Sequence, residues 1–227
     1  MIKNIPLLLT IFMPLIFIKC GAETSKKENE ANTGIDVVNE AALEQVIERD
    51  DDGNLKIFSK IRNGDAKEGK FIRMTPDSIM IEEAYYHHDT LNGKRILFSD
   101  KGIKETVETY KKGIFDGPYT SYYPDGTIAF QGEYQNNSME GVWRRYYQNG
   151  QVMEEVTFAN NEENGPFTEY NENGTLKAKG TYLNGDNEEG ELLVYDENGV
   201  LLRKMTCQNG MCKTVWKQDL GEVKTIK

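Results

Sequence analysis

Two interlocked series of glycines with a period of 24 residues constrain this chain more than anything else in it. Gly69, Gly93, Gly117, Gly141 and Gly165 are spaced by 24, and Gly190 follows after 25. Nine residues behind each comes a second series: Gly102, Gly126, Gly150, Gly174 and Gly199, with Ser78 in the first unit. A fixed period of this length marks a repeat architecture, in which one small unit recurs and stacks on its neighbours. Side chains keep the same phase. Two residues after the leading glycine stand Phe71, Tyr119, Trp143, Phe167 and Leu192, with Arg95 the exception. Five after it stand Met74, Phe98, Tyr122, Tyr146, Tyr170 and Tyr195. Seventeen after it stand Tyr86, Tyr110, Tyr134, Phe158, Tyr182 and Cys207.

Turn chemistry divides each period. Pro124-Asp125-Gly126, Gln148-Asn149-Gly150, Glu172-Asn173-Gly174 and Glu197-Asn198-Gly199 are hairpin signals, because Asn, Asp and Gly accept positive φ at low cost. The segment after each turn alternates, as in Ile128, Phe130, Gly132 and Tyr134. Each unit therefore reads as strand, tight turn, strand, loop, with Glu140, Glu162-Glu163 and Glu188-Glu189 recurring in the loops as an acidic rim. The positions two and five after the leading glycine differ by an odd number, so a regular strand sends them to opposite faces. Either a bulge realigns them or both faces carry aromatics. Ordering a residue costs about 1–2 kcal/mol and one buried large apolar side chain returns about 1.5–3 kcal/mol, so a lone hairpin of this size does not fold. The expectation is a mainly β chain: an elongated single antiparallel meander sheet of stacked hairpin repeats over 46–227. Its units start near 46, 69, 93, 117, 141, 165 and 190, with a partial one from 214, and a disordered N-terminal tether precedes them.

The N-terminus reads as an address. A single Lys lies in Met1 to Asn4, an apolar run covers Ile5 to Ile18, and polarity returns at Lys19-Cys20-Gly21. Fourteen residues are too few to cross a bilayer core of about 30 Å as a helix, and the pattern is that of a secretory signal over 1–19. Phe17-Ile18-Lys19-Cys20 resembles the lipobox of bacterial lipoproteins, whose cysteine is lipidated, although Lys19 stands where that family has a small residue. The resemblance implies lipidation at Cys20, a flexible tether over 20–45 and anchoring to the bacterial envelope at the outer membrane. Cleavage near Gly21-Ala22, releasing a soluble periplasmic or secreted protein, is the alternative.

Gly141 to Phe158 (GVWRRYYQNGQVMEEVTF) and Gly165 to Gly185 (GPFTEYNENGTLKAKGTYLNG) resemble the variant MORN repeat found in bacterial antitoxin proteins of the YwqK type. The likeness runs from about Val46 to Ile226 and implies a repeat sheet that binds something, with antitoxin action as one reading.

Little in the chain points to catalysis. No phosphate loop, G-x-S-x-G elbow, H-E-x-x-H helix or C-x-x-C pair occurs. His87 and His88 are adjacent, and neighbours on a strand diverge, which argues against a shared metal ion. Asp50-Asp51-Asp52-Gly53 lacks the alternate carboxylate spacing of a calcium loop and reads as a solvated turn. No cofactor is expected. A net charge of −10 repels nucleic acid and anionic lipid, which leaves the lipid anchor as the membrane contact. Cys207 and Cys212 flank a four-residue segment that would set them opposite each other as a disulfide, which export favours. Tyr119, Tyr122, Trp143, Tyr146, Phe167 and Tyr170 form the candidate binding face. The leading functional expectation is a non-catalytic, membrane-tethered scaffold for an unknown protein or peptide partner. An antitoxin or immunity protein is the second reading, and a carboxylate-pair hydrolase the third.

Overall fold

The computed structural model describes residues 42–219 and 221–222, which fall within one compact unit, 38–227. The signal segment, Cys20, the tether as far as residue 41 and the closing segment Val223 to Ile226 lie outside the described residues. Seventeen strands form one sheet. In chain order they are β1 (Leu43–Arg49), β2 (Leu55–Ile61), β3 (Lys67–Met74), β4 (Met80–His87), β5 (Thr90–Phe98) and β6 (Lys104–Lys111). There follow β7 (Ile114–Phe115), β8 (Gly117–Tyr122), β9 (Ile128–Gln135), β10 (Ser138–Tyr146), β11 (Val152–Ala159) and β12 (Glu162–Tyr170). The last are β13 (Leu176–Tyr182), β14 (Gly190–Tyr195), β15 (Leu201–Gln208), β16 (Met211–Lys217) and β17 (Gly221–Glu222). Strand pairing is antiparallel throughout and follows chain order, with β7 and β8 lying in succession along β6. The result is the open meander that the period implies. Its first strand begins at Leu43, three residues ahead of Val46.

Two kinds of turn alternate. At one end each hairpin closes through a tight loop such as Tyr123 to Thr127, where the Gly126 amide donates to the Tyr123 carbonyl (2.9 Å) and the Tyr123 amide to the Thr127 carbonyl (2.8 Å). The second glycine series supplies the positive φ this loop needs, 88° at Gly126, and Ser78 adopts 64° in the same place. Asp50 to Asn54 is one more copy, so the acidic run is a hairpin turn in phase with the rest.

The opposite end differs from the loops expected there. The chain reverses in two residues, both at positive φ, at His88-Asp89 (49°, 62°), Asn136-Asn137 (50°, 68°), Asn160-Asn161 (54°, 69°), and likewise at Lys112-Gly113 and Asn209-Gly210, whereas Asn184-Gly185, also at positive φ, sits in a longer loop closed by Tyr182 opposite Glu188. Asn and Asp tolerate the left-handed region because their short polar side chains bond locally, so no longer loop is required. Strands consequently run into the segments read as loops, and Glu140, Glu162 and Glu163 lie in β10 and β12.

The register also decides where the aromatics point. Following the pairings, one row crosses the sheet through Phe58, Phe71, Ala84, Arg95 and Glu108. It continues through Tyr119 and Gly132, then Trp143, Val156 and Phe167, then Gly180. Phe58, Phe71, Ala84, Trp143, Val156 and Phe167 in this row are buried. The aromatic residue seventeen after each leading glycine faces that glycine, as in Tyr134 with Gly117 and Tyr182 with Gly165, and lies on the same side. Big side chains lie over absent ones. A methyl group on Gly132 would come within 2.1 Å of the Trp143 ring, and one on Gly180 within 2.8 Å of Phe167. The core is thus a stripe along one face, and among the described residues no helix or second sheet covers it.

Candidate functional site

The six aromatics expected to share a binding face do not share one. Tyr119, Trp143 and Phe167 belong to the core row, Trp143 only 1% exposed with its ring against Phe130 (4.9 Å), Tyr134 (5.0 Å) and Tyr119 (5.9 Å). Tyr122, Tyr146 and Tyr170 occupy the opposite face. A register shift does occur between positions four and five, but the extra residue is on the following strand, so the tyrosines keep the parity of their own. Of the two arrangements left open by the odd spacing, both faces carry aromatics. Contacts agree with this: the Tyr146 hydroxyl accepts from Gln131 Nε2 (2.7 Å), next to Gly132 and therefore on the far side from Trp143.

This second face presents Tyr122, Tyr146 and Tyr170, each half-buried, two strands apart or about 10 Å. Charges surround them. Lys104 Nζ stands 4.0 Å above the Tyr122 ring, and Arg144 pairs with Glu155 on the same side. Hydrogen bonds between successive units pin the rim beside the tyrosines. Tyr123 Oη donates to the Tyr146 carbonyl (2.6 Å) and Tyr147 Oη to the Tyr170 carbonyl (2.8 Å). Asn149 and Asn173 donate to the carbonyls of Glu172 and Glu197. The concavities among the described residues are open grooves, one of them lined by Lys104, Tyr122 and Tyr123.

The residue before each leading glycine, an Asp, Glu or Asn in all six units, has a structural task that accounts for much of the acidic rim. Its side chain accepts from the first amide of the two-residue turn: Glu68 from His88 (3.0 Å), Asn92 from Lys112 (3.1 Å), Glu140 from Asn160 (2.8 Å) and Glu189 from Asn209 (2.9 Å). Glu163 lies apart from this pattern. Burial, then the charges of Glu154 and Asp186, hold its carboxyl above the ordinary range.

Arg95, the exception in its series, is where the core becomes ionic. Its Nε reaches Glu82 (2.7 Å) and its Nη1 Glu108 (3.4 Å), while Arg73 approaches Glu82 (3.4 Å) and Tyr110 Oη donates to Glu108 (3.1 Å). Burial alone pushes the guanidinium down, and the Glu82 and Glu108 carboxylates more than reverse it. The sequence shows Arg95 out of pattern; its partners come from register.

The parity argument against His87 and His88 fails. His88 opens a two-residue turn at φ 49° rather than continuing the strand, and both imidazoles come to Glu68. These three are the residues that could hold a metal ion among those described. Cys207 and Cys212 face each other across β15 and β16, with Cα atoms 4.0 Å apart, and are joined as a disulfide. The turn between them is the two residues Asn209-Gly210, shorter than the four-residue loop expected.

Four tandem copies of the MORN repeat variant match residues 115–136, 139–160, 163–184 and 188–209. Each match spans one tight-turn hairpin and ends on a positive-φ asparagine at the opposite turn, and the sheet carries the same hairpin upstream of them. No curated protein matches the chain. The four matches show tandem MORN-variant repeats within residues 115–209, repeats of a kind associated with binding.

Proposed function

We propose that this chain is a non-catalytic scaffold module that binds a protein or peptide partner along the tyrosine-bearing face of its sheet, while lipidation at Cys20 tethers it to the bacterial envelope. The observation that carries the binding reading is the row Tyr122, Tyr146 and Tyr170 on an open face whose turns are cross-linked unit to unit. Such a row is already ordered before binding, so a partner meets large amphipathic rings at little cost in conformational entropy. The tether rests on the apolar run ending at Cys20.

The full chain, cross-linked in native envelope and captured, is expected to retain a saturable partner. The triple variant Tyr122→Ala, Tyr146→Ala, Tyr170→Ala, with its β-sheet circular dichroism intact, is expected to lose it. Equal capture by both proteins rules out this face. For the tether, Cys20→Ser is expected to move the chain from the membrane to the soluble fraction, and unchanged fractionation rejects lipidation.

The antitoxin reading draws on one further observation, the net charge of −10. Charge of this sign steers a basic toxin toward the sheet. Rescue of growth from a toxic neighbouring gene product, weakened by high salt in binding assays, distinguishes it from a scaffold.

A further inference from the structure

We propose that Glu68, His87 and His88 form a binding site for one divalent cation of the zinc class. Glu68 Oε1 lies 2.9 Å from His87 Nδ1, Glu68 Oε2 3.5 Å from His88 Nδ1, and the two Nδ1 atoms are 3.4 Å apart. Tetrahedral coordination with metal–ligand bonds near 2.0–2.1 Å separates neighbouring ligand atoms by about 3.3 Å, and one ligand atom from each of the three residues lies within 4.8 Å of the other two, so small side-chain rotations bring them to one face of such a tetrahedron. Two imidazoles and one carboxylate select zinc, copper or nickel over calcium or magnesium, which prefer all-oxygen sets. Glu68 closes the back of the site, with its side chain 8% exposed, while His87 and His88 are 40% and 59% exposed. The fourth position therefore opens to solvent, beside a groove lined by Thr90, Asn92 and Lys112.

Comparison among the units separates this role from a purely structural one. Capping the turn explains Glu68, because Glu140 and Glu189 do the same with no histidine nearby. It does not explain the histidines. At the position of His88 the other units carry Lys112, Asn136, Asn160, Asn184 and Asn209, and at that of His87 they carry Lys111, Gln135, Ala159, Leu183 and Gln208. In the site both histidines bind as neutral imidazoles protonated at Nε2, which leaves the two Nδ1 lone pairs for the ion. Glu68 keeps one oxygen on the His88 amide and turns the other to the metal.

The same comparison supplies variants that keep the fold. His88→Asn and His87→Gln install residues that identical turns already use. The full chain, with Cys20→Ser so that no free thiol competes, is titrated calorimetrically with zinc chloride alone and then with calcium chloride. One zinc ion per chain is expected, with zinc raising the melting temperature and calcium having no effect. Losing a ligand should cost at least what losing an outer-shell partner does, about 10–100-fold in affinity, so both histidine variants should bind at least that much more weakly and lose the thermal shift. Zinc uptake by His88→Asn equal to that of the parent overturns the site, as does a parent that takes up no zinc. Equal binding of calcium overturns the zinc-class assignment.

Discussion

At the scale of single residues, glycine does two unrelated jobs in this chain. Gly126 is needed for its backbone: φ is 88° and a Cβ there would touch nothing within 4 Å. Gly132 is needed for its emptiness, since it sits in a strand beneath the Trp143 ring. Gly126→Ala is therefore expected to cost about 1–2 kcal/mol, the penalty of a left-handed L-residue, without moving the tryptophan. Gly132→Ala is expected to cost about 1–3 kcal/mol by overpacking and also to shift Trp143 fluorescence. Urea melts and emission spectra of the two variants check this; a Trp143 shift in both, or in neither, contradicts it. Glu163 supplies a pH dependence. Its folded pKa lies above the unfolded value of about 4.3, so the folded state binds more protons across that interval and stability falls as pH rises through it. Glu163→Gln should raise the urea midpoint at neutral pH, and the gain should vanish once pH falls below about 4. A gain that is the same at every pH points instead to packing.

At the scale of elements, the ionic segment of the core row between β4 and β6 tests how much of the row is volume and how much is charge. Removing Arg95 alone leaves Glu108 buried without its cation and takes from Glu82 its closer partner, and a broken buried pair costs about 3–5 kcal/mol. Arg95→Tyr with Glu108→Gly instead copies the neighbouring Tyr119 and Gly132 pair. Denaturation midpoints should show Arg95→Leu strongly destabilised and the double variant recovering most of the loss. A double variant as unstable as the single one means that the row is held by its charges. Hairpins were legible as elements because Asn-Gly or Asp-Gly marks the tight turn of most of them, with Asp77-Ser78 and Lys101-Gly102 held in place by the period. The other end reads as loop because most of its turns, His-Asp, Lys-Gly and two Asn-Asn, are weaker reversal signals than the Asn-Gly at 184–185 and 209–210, and their positive φ emerges only when the flanking strands pair.

At the scale of the molecule, each unit contacts those beside it in the chain, so stability should behave as a sum over units and their shared edges. Deleting 141–164 removes one full period and joins Glu140 to Gly165 in phase. That protein is expected to fold cooperatively, with a lower melting temperature and a smaller urea dependence in proportion to the surface lost. Deleting 141–152, half a period, sets a strand against the meander and is expected to give no cooperative transition. Similar melts for the two deletions would falsify the nearest-neighbour picture.

Sequence alone determined the repeat, its period, the tight turns and the antiparallel meander, because those follow from local φ requirements and from hydrophobic phase, which nearby residues set among themselves. Tertiary structure decided which face each aromatic takes, that Trp143 is core rather than surface, where Arg95 finds its carboxylates, and that Glu68 meets two adjacent histidines. All of these depend on register across strands and on bulges within them. A shift of one residue in pairing reverses every side chain, and no local signal in the chain carries that information.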